Sequence, residues 1–246
     1  MMSLTEISFV EVVRKQHAFK LKSYGGVFTS LVMIQFIALL FSFGASGGMG
    51  SSSGSISYEI SYYSGWIIIS FTYLWAFITA ILITTKAYRN DDFTFVSNRL
   101  TSNLSNIFFL LTASLIGGVT ALLASNVIKL LVVLFYDLDY VIGASLTIQD
   151  FFIGLLSTTL YIFMFTAAGY LVGTLVQLHK LFVIIIPAVF IGGLFVDVGQ
   201  FQLISRISEF YVAEASFLLF VIKSVITVVL LFLTSIVLSN RLEVKQ

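Results

Sequence analysis

Six long apolar stretches divide the sequence, at residues 24–44, 63–84, 107–135, 151–177, 181–196 and 216–239. Each stretch is bounded by charged residues or by Gly and Ser, which are typical of the ends of apolar helices. A hydrocarbon core of about 30 Å takes about 20 apolar helical residues to cross. The pattern therefore predicts an all-α membrane protein with six transmembrane helices, built as one membrane domain over residues 1–246.

The basic residues fall mainly on alternate sides of these stretches. Ten of the 13 Lys and Arg residues precede the first stretch, follow the second or the fourth, or lie in the C-terminal tail. Because loops rich in Lys and Arg stay in the cytoplasm, we expect both termini there, in a multi-pass protein of a bacterial cell membrane. Lys129 and Lys223 lie inside apolar stretches, near the outer ends, from which a long side chain can reach the membrane surface.

Composition narrows the function further. With 246 residues, 10% of them charged, and a net charge of +1, the chain has no room for a soluble catalytic domain and no basic excess for nucleic acid. A GxxxxGK[ST] pattern is absent, so any ATP hydrolysis is expected in a partner chain. Ser46 lies in a GxSG pattern similar to that of rhomboid proteases, but both His residues are expected across the membrane from it. We predict that the chain is not an enzyme and holds neither a metal nor a cofactor.

The loop at residues 85–106 joins the second and third stretches. Its aromatic residues Phe93 and Phe95 stand among charges and amides, which favours a short interfacial helix that presents an apolar side to a partner. An ordinary polar connector is the alternative. Asn98 and the Asn and Ser residues that follow it are suited to cap the turn into the third stretch.

Glycine and proline mark two further helices. Pro187 is the one proline of the chain, and Gly192 and Gly193 follow it, so we expect a kinked or broken helix there. Gly169 and Gly173 form a GxxxG pair, which lets another helix backbone approach closely. Packing within the chain and a subunit interface both fit that pair.

Two segments between the stretches have contrasting compositions. Residues 44–61 are rich in Gly and Ser, which predicts a flexible connector. Residues 197–215 mix apolar residues, including Phe201 and Phe210, with charged ones such as Arg206. That mixture is typical of a half-buried or re-entrant element near the outer surface.

This layout resembles that of an ABC-2 type transporter permease. The resemblance covers nearly the whole chain, and the segment FVSNRLTSNLSN (residues 95–106) is similar to loops in small permeases of Gram-positive peptide exporters and bacteriocin-immunity systems. It implies a dimer with an identical or related permease, bound to two ABC ATPase subunits that use ATP and Mg. Residues 1–23 would form an interfacial elbow segment, although their apolar residues gather on no single helical face.

By the same resemblance, residues 85–106 would be the cytoplasmic loop that couples to the ATPase and residues 197–215 the outer gate. The expected substrate is amphipathic or hydrophobic, with a toxin or antimicrobial peptide favoured. The expected ATPase-coupling residues are Arg89, Phe93, Phe95, Asn98, Arg99 and His179, and the gate residues are Phe201, Arg206 and Phe210. A non-transporting scaffold or immunity protein is the alternative, as is a secondary carrier, although the apolar stretches hold no ladder of acidic residues.

Overall fold

The computed structural model describes residues 8–44, 46–53, 56–63, 65–92, 98–135, 147–197, 203–212, 214 and 216–241. Helices dominate this part of the chain: α1 (Phe9–Ser23), α2 (Gly25–Gly44), α3 (Trp66–Ile83), α4 (Lys86–Asp92), α5 (Arg99–Phe135), α6 (Ile148–Leu178), α7 (Phe182–Asp197), α8 (Leu203–Val212) and α9 (Phe217–Arg241). The predicted site residues Phe93, Phe95 and Phe201 lie outside the described residues.

Five of these helices, α2, α3, α5, α6 and α9, are long and apolar enough to cross a membrane. They fall on five of the six predicted stretches, which supports a multi-pass membrane protein whose membrane part is helical. The remaining stretch forms α7, a helix of 16 residues, or about 24 Å at 1.5 Å per residue. That length is short of a full hydrocarbon core, so the sixth crossing stays a prediction.

Helix α5 begins at Arg99 rather than at residue 107, where the apolar stretch was predicted to begin. Its first two turns consist largely of Ser, Thr and Asn, which are poor interior helix formers. Several of these side chains are nonetheless buried, among them Thr101, Asn103, Ser105 and Asn106. Tertiary hydrogen bonding, described below, therefore extends the helix beyond its apolar part.

Helix α7 runs without interruption through Pro187. A broken helix is therefore wrong, whereas the alternative of a kinked helix stays a prediction, since the ring removes one backbone donor and leaves the Val183 carbonyl without its usual partner within the helix. Both Pro187 and Gly192 are exposed, and a Cβ atom added to Gly192 would have open space around it.

The segment predicted to be a flexible connector instead contains a β-hairpin. Strand β1 (Ser46–Ser53) pairs antiparallel with β2 (Ile56–Tyr63), from Ser46 opposite Tyr63 to Ser53 opposite Ile56. The connector prediction was wrong because β1 is rich in Gly and Ser, whereas β2 carries alternating Ile, Tyr and Ser residues that favour a strand.

The chain forms two compact units. The first contains Met1–Ser23, Ala76–Thr112 and Phe163–Gln246, and the second contains Tyr24–Trp75 and Ala113–Ile162. The second unit has an apolar cluster of small and β-branched residues, namely Ala38, Ile68, Ala121 and Ile128. Beside that cluster, the buried Gln35 amide donates to Thr72 Oγ1 at 3.2 Å. The first unit is organised differently, around polar side chains.

Candidate functional site

Helix α1 buries a polar face within the first unit. Its buried residues are Val13, Gln16 and Lys20, whose spacing places them on one side of the helix. The side chains of Gln16 and Lys20 are among the most enclosed of the described chain, with relative exposures of 0% and 1%. The apolar residues of this segment gather on no single face because the buried face is largely polar.

Lys20 begins a series of hydrogen bonds that joins three helices. Its Nζ donates to Ser105 Oγ at 2.8 Å and to Asn106 Oδ1 at 2.5 Å. Asn106 Nδ2 donates to the Tyr170 hydroxyl at 3.3 Å, and that hydroxyl donates to Asn103 Oδ1 at 2.8 Å. We call these five residues the polar cluster. It connects α1, α5 and α6, and enclosure makes each of its bonds costly to break.

Polar groups at the edge of the polar cluster are not all satisfied. Neither polar atom of the Gln16 amide has a hydrogen-bond partner among the described residues, and the same holds for Asn103 Nδ2. A buried donor or acceptor without a partner costs about 1–3 kcal/mol. The face of α1 therefore carries more hydrogen-bonding capacity than its described neighbours use.

His17 extends the contact between α1 and α5. Its Nε2 lies 3.2 Å from Thr112 Oγ1. Because that hydroxyl already donates its proton to the Phe108 carbonyl at 2.9 Å, it accepts the proton of His17 Nε2. Burial, and secondly the charge of Lys20, lower the pKa of His17 below its ordinary value. Burial and the nearby ammonium group therefore favour the neutral imidazole.

The two arginines predicted to couple to a partner both make bonds within the chain. Arg89 Nη1 donates to Gln177 Oε1 at 3.1 Å, which joins α4 to the last turn of α6. Arg99 Nη1 donates to the Ser239 carbonyl at 3.0 Å, which joins the beginning of α5 to the end of α9. A guanidinium group has five donors, so each can serve these bonds and still contact another chain.

Asn98 and His179 lie at helix ends. The Asn98 carbonyl accepts from Thr101 Oγ1 at 2.5 Å and from the Ser102 amide at 3.1 Å, and its side chain is exposed just before α5. His179 is exposed in the turn between α6 and α7, where its Nδ1 accepts from the Leu181 amide at 3.3 Å. The bond between Arg89 and Gln177 therefore brings α4 beside the turn that holds His179.

Gly169 and Gly173 lie where α6 approaches α3. A Cβ atom added to Gly169 would lie 3.0 Å from the Phe77 carbonyl carbon, and one added to Gly173 would lie 3.1 Å from Ile81 Cα. Both distances are shorter than ordinary van der Waals contact. Of the two alternatives for this glycine pair, the structure has the close approach within the chain.

The predicted gate residues lie on α8, where Arg206 and Phe210 are exposed. Lys223 of α9 forms an ion pair with Glu214, and its Nζ lies 4.1 Å from the centre of the Phe210 ring. Lys223 therefore has partners within the chain in addition to any reach toward the membrane surface.

Its five long apolar helices make the chain a multi-pass membrane protein. Comparison with known proteins finds no matching family model, curated protein or solved structure.

Proposed function

We propose that the chain is the membrane-spanning permease subunit of an ABC-2 type exporter. It moves an amphipathic or hydrophobic substrate, with peptides the favoured class, and pairs with a second permease and two ATPase subunits that use ATP and Mg. The observation that carries the proposal is the bond between Arg89 and Gln177. It fixes the short helix α4 to the end of α6, next to the exposed turn at His179.

A coupling element must be exposed to its partner and firmly connected to the membrane helices. Helix α4 has seven residues, and Lys86 at its beginning is exposed. His179 and Lys180 present a second exposed surface at the end of α6. A partner that pushes on α4 would thereby move α6 through Arg89, which is the physical connection that coupling requires.

Contacts of the first unit also support six crossings with both termini in the cytoplasm. Lys20 attaches α1 to the first turns of α5, and Ser239 attaches the end of α9 to Arg99. The end of α1 and the end of α9 thus both lie against the first turns of α5. Phe232 of α9 packs against Phe163 and Tyr170 of α6, at ring distances of 5.5 and 5.7 Å.

Tyr170 of α6 and Ser239 of α9 both contact the first turns of α5, and Phe232 packs beside Tyr170, an arrangement that favours α6 and α9 running in the same direction. Two helices in the same direction require the intervening chain to return across the membrane, and α7 is the apolar helix available for that return. The segment around α8, including Arg206 and the pair of Lys223 with Glu214, then lies at the outer side as the proposed gate.

The test is purification of the tagged full-length chain from its native membranes in a mild detergent, followed by mass spectrometry and an ATPase assay. We expect a stoichiometric nucleotide-binding subunit and measurable ATPase activity. Arg89→Ala should lower the activity of the assembled complex at least about fivefold, the loss expected for a charged hydrogen bond. Arg14→Ala, which changes an exposed arginine of α1, is the matched control.

Two results would contradict the proposal. Recovery of a folded chain without an ATPase subunit would favour the scaffold or immunity protein. Transport by the reconstituted chain alone, driven by an ion gradient, would favour a secondary carrier.

A further inference from the structure

A cavity of about 320 Å³ lies within the second unit, between the beginnings of α3 and α6 and the later part of α5. Its lining includes Trp66, Ser125, Lys129, Asp150, Phe151 and Gly154. The volume is within the range of small-molecule sites, about 300–1,000 Å³. The lining also combines both signs of charge with aromatic surface, which is a more specific feature than its size.

The two charges of the cavity are held differently. The Asp150 carboxylate accepts hydrogen bonds from the backbone amide of Thr147, at 3.2 Å, and from the Thr147 hydroxyl. This capping box fixes the carboxylate at the beginning of α6. Lys129 is exposed, and within the described part of the chain it has no ion pair or hydrogen bond. The cavity therefore has one carboxylate, from Asp150, that hydrogen bonds hold in place, and one ammonium group, from Lys129, that can bind a ligand.

The remaining lining places this site at a membrane surface. Trp66 is the first residue of the membrane-spanning helix α3 and is 71% exposed, and Asp150 lies in the first turn of α6. Tryptophan is enriched at the level of lipid headgroups. Phe151 and the bare backbone of Gly154 continue the lining as apolar surface, along which an acyl chain can lie.

We propose that this cavity binds the headgroup of a zwitterionic phospholipid. The phosphate lies at Lys129, and the ammonium group lies between the Asp150 carboxylate and the face of Trp66. A ligand with one charge would leave one of the two side chains unmatched, whereas a phosphoethanolamine group matches both. The site belongs to the second unit and does not depend on the proposed exporter function.

The test is native mass spectrometry of the full-length chain in detergent with phosphatidylethanolamine or phosphatidylglycerol added at equal concentration. We expect one tightly bound phosphatidylethanolamine. Lys129→Gln should weaken it about tenfold or more, as for loss of a charged hydrogen bond, and Asp150→Asn should remove the preference over phosphatidylglycerol. Gly154→Leu should abolish binding, because a side chain there meets no protein atom within 4 Å of its Cβ and enters the cavity.

Matched controls separate the site from general effects on the protein. Lys22→Gln changes another exposed lysine, and Gly26→Leu changes another helical glycine with open space around it. Both should bind phosphatidylethanolamine as the wild-type chain does. Size-exclusion chromatography checks that each variant is folded, and soluble phosphoethanolamine should compete with the lipid better than inorganic phosphate.

Several outcomes would overturn the inference. Equal retention of the two lipids would indicate a site for a phosphate anion, and equal competition by inorganic phosphate would show that the headgroup amine is not recognised. Lipid binding that is unchanged in Lys129→Gln and Gly154→Leu would place the lipid elsewhere. Displacement of the lipid at equal concentration by a synthetic amphipathic peptide would make the cavity a peptide site.

Discussion

Helices α1 and α7 are nearly equal in length, with 15 and 16 residues, but they bury opposite kinds of surface. The polar helix α1 encloses Gln16 and Lys20. The apolar helix α7 leaves most of its large side chains exposed, namely Val183, Ile184, Ile185, Val189, Phe190 and Ile191. Apolar side chains need no protein cover in a membrane, whereas polar groups must find partners there. On α1, the hydrogen bonds of Lys20, more than hydrophobicity, decide which surface lies inside.

The comparison also distinguishes two ways of holding a helix in place. Directional bonds from Lys20 and His17 fix α1 against α5. By contrast, α7 has an exposed apolar surface that can meet lipid. Substitutions on the two kinds of surface should therefore have very different effects.

The largest expected difference is between two glycines. Gly169→Leu forces a side chain into the backbone of α3, and we expect a loss of about 3 kcal/mol or more in the free energy of unfolding, at the upper end of overpacking effects. Gly192→Leu adds the same side chain to the exposed α7, where there is space for it. Denaturation in mixed micelles measures both variants. Equal destabilisation would contradict the contrast between a packed and an open helix surface.

A smaller effect is expected from the buried ammonium group. Lys20→Met leaves Ser105 and Asn106 without their shared donor, and we expect a loss of about 2 kcal/mol in the free energy of unfolding. Lys22→Met removes an exposed lysine of the same helix and should change stability by less than about 0.5 kcal/mol. The same denaturation experiment tests both. A Lys20→Met chain as stable as the wild type would show that the polar cluster does not hold α1.

The smallest effect is a dependence of α1 docking on pH. Since the folded chain lowers the pKa of His17 below 6.5, the folded state binds fewer protons there than the unfolded state. This contribution to stability is complete above about pH 6.5 and is lost as the pH falls through the lower pKa of the folded chain. Denaturation between about pH 7 and 5 should show a slope that His17→Gln reduces. The exposed His179 provides the control variant, His179→Gln, and an unchanged slope in His17→Gln would contradict this assignment.

The membrane helices could be predicted from the sequence because their signal is local. An apolar stretch of sufficient length identifies α2, α3, α6 and α9 to within three residues at each end. The polar cluster could not be predicted in this way. Lys20 precedes an apolar stretch, Asn106 ends a polar loop and Tyr170 lies among apolar residues, so each is unremarkable in its own segment. Only folding brings these three residues into one series of bonds.

The glycine pair and the hairpin show the same limit at shorter range. The spacing of Gly169 and Gly173 predicted a close helix contact but carried no information on its partner, which is α3. In the segment between α2 and α3, the Gly and Ser content of β1 outweighed the strand pattern of β2. The sequence of β1 does not by itself predict a strand, so β1 could be identified only through its pairing with β2.

Helix α5 has 37 residues, or about 55 Å, although a hydrocarbon core of about 30 Å holds about 20 of them. In a thicker or thinner bilayer, different residues of α5 lie in water. The helix does not need to bend or stretch to adapt. The 16 residues of α7 have no such reserve. In the proposed topology, in which α7 crosses the membrane, bilayer thickness thus acts mainly on α7, and thin membranes match that crossing best.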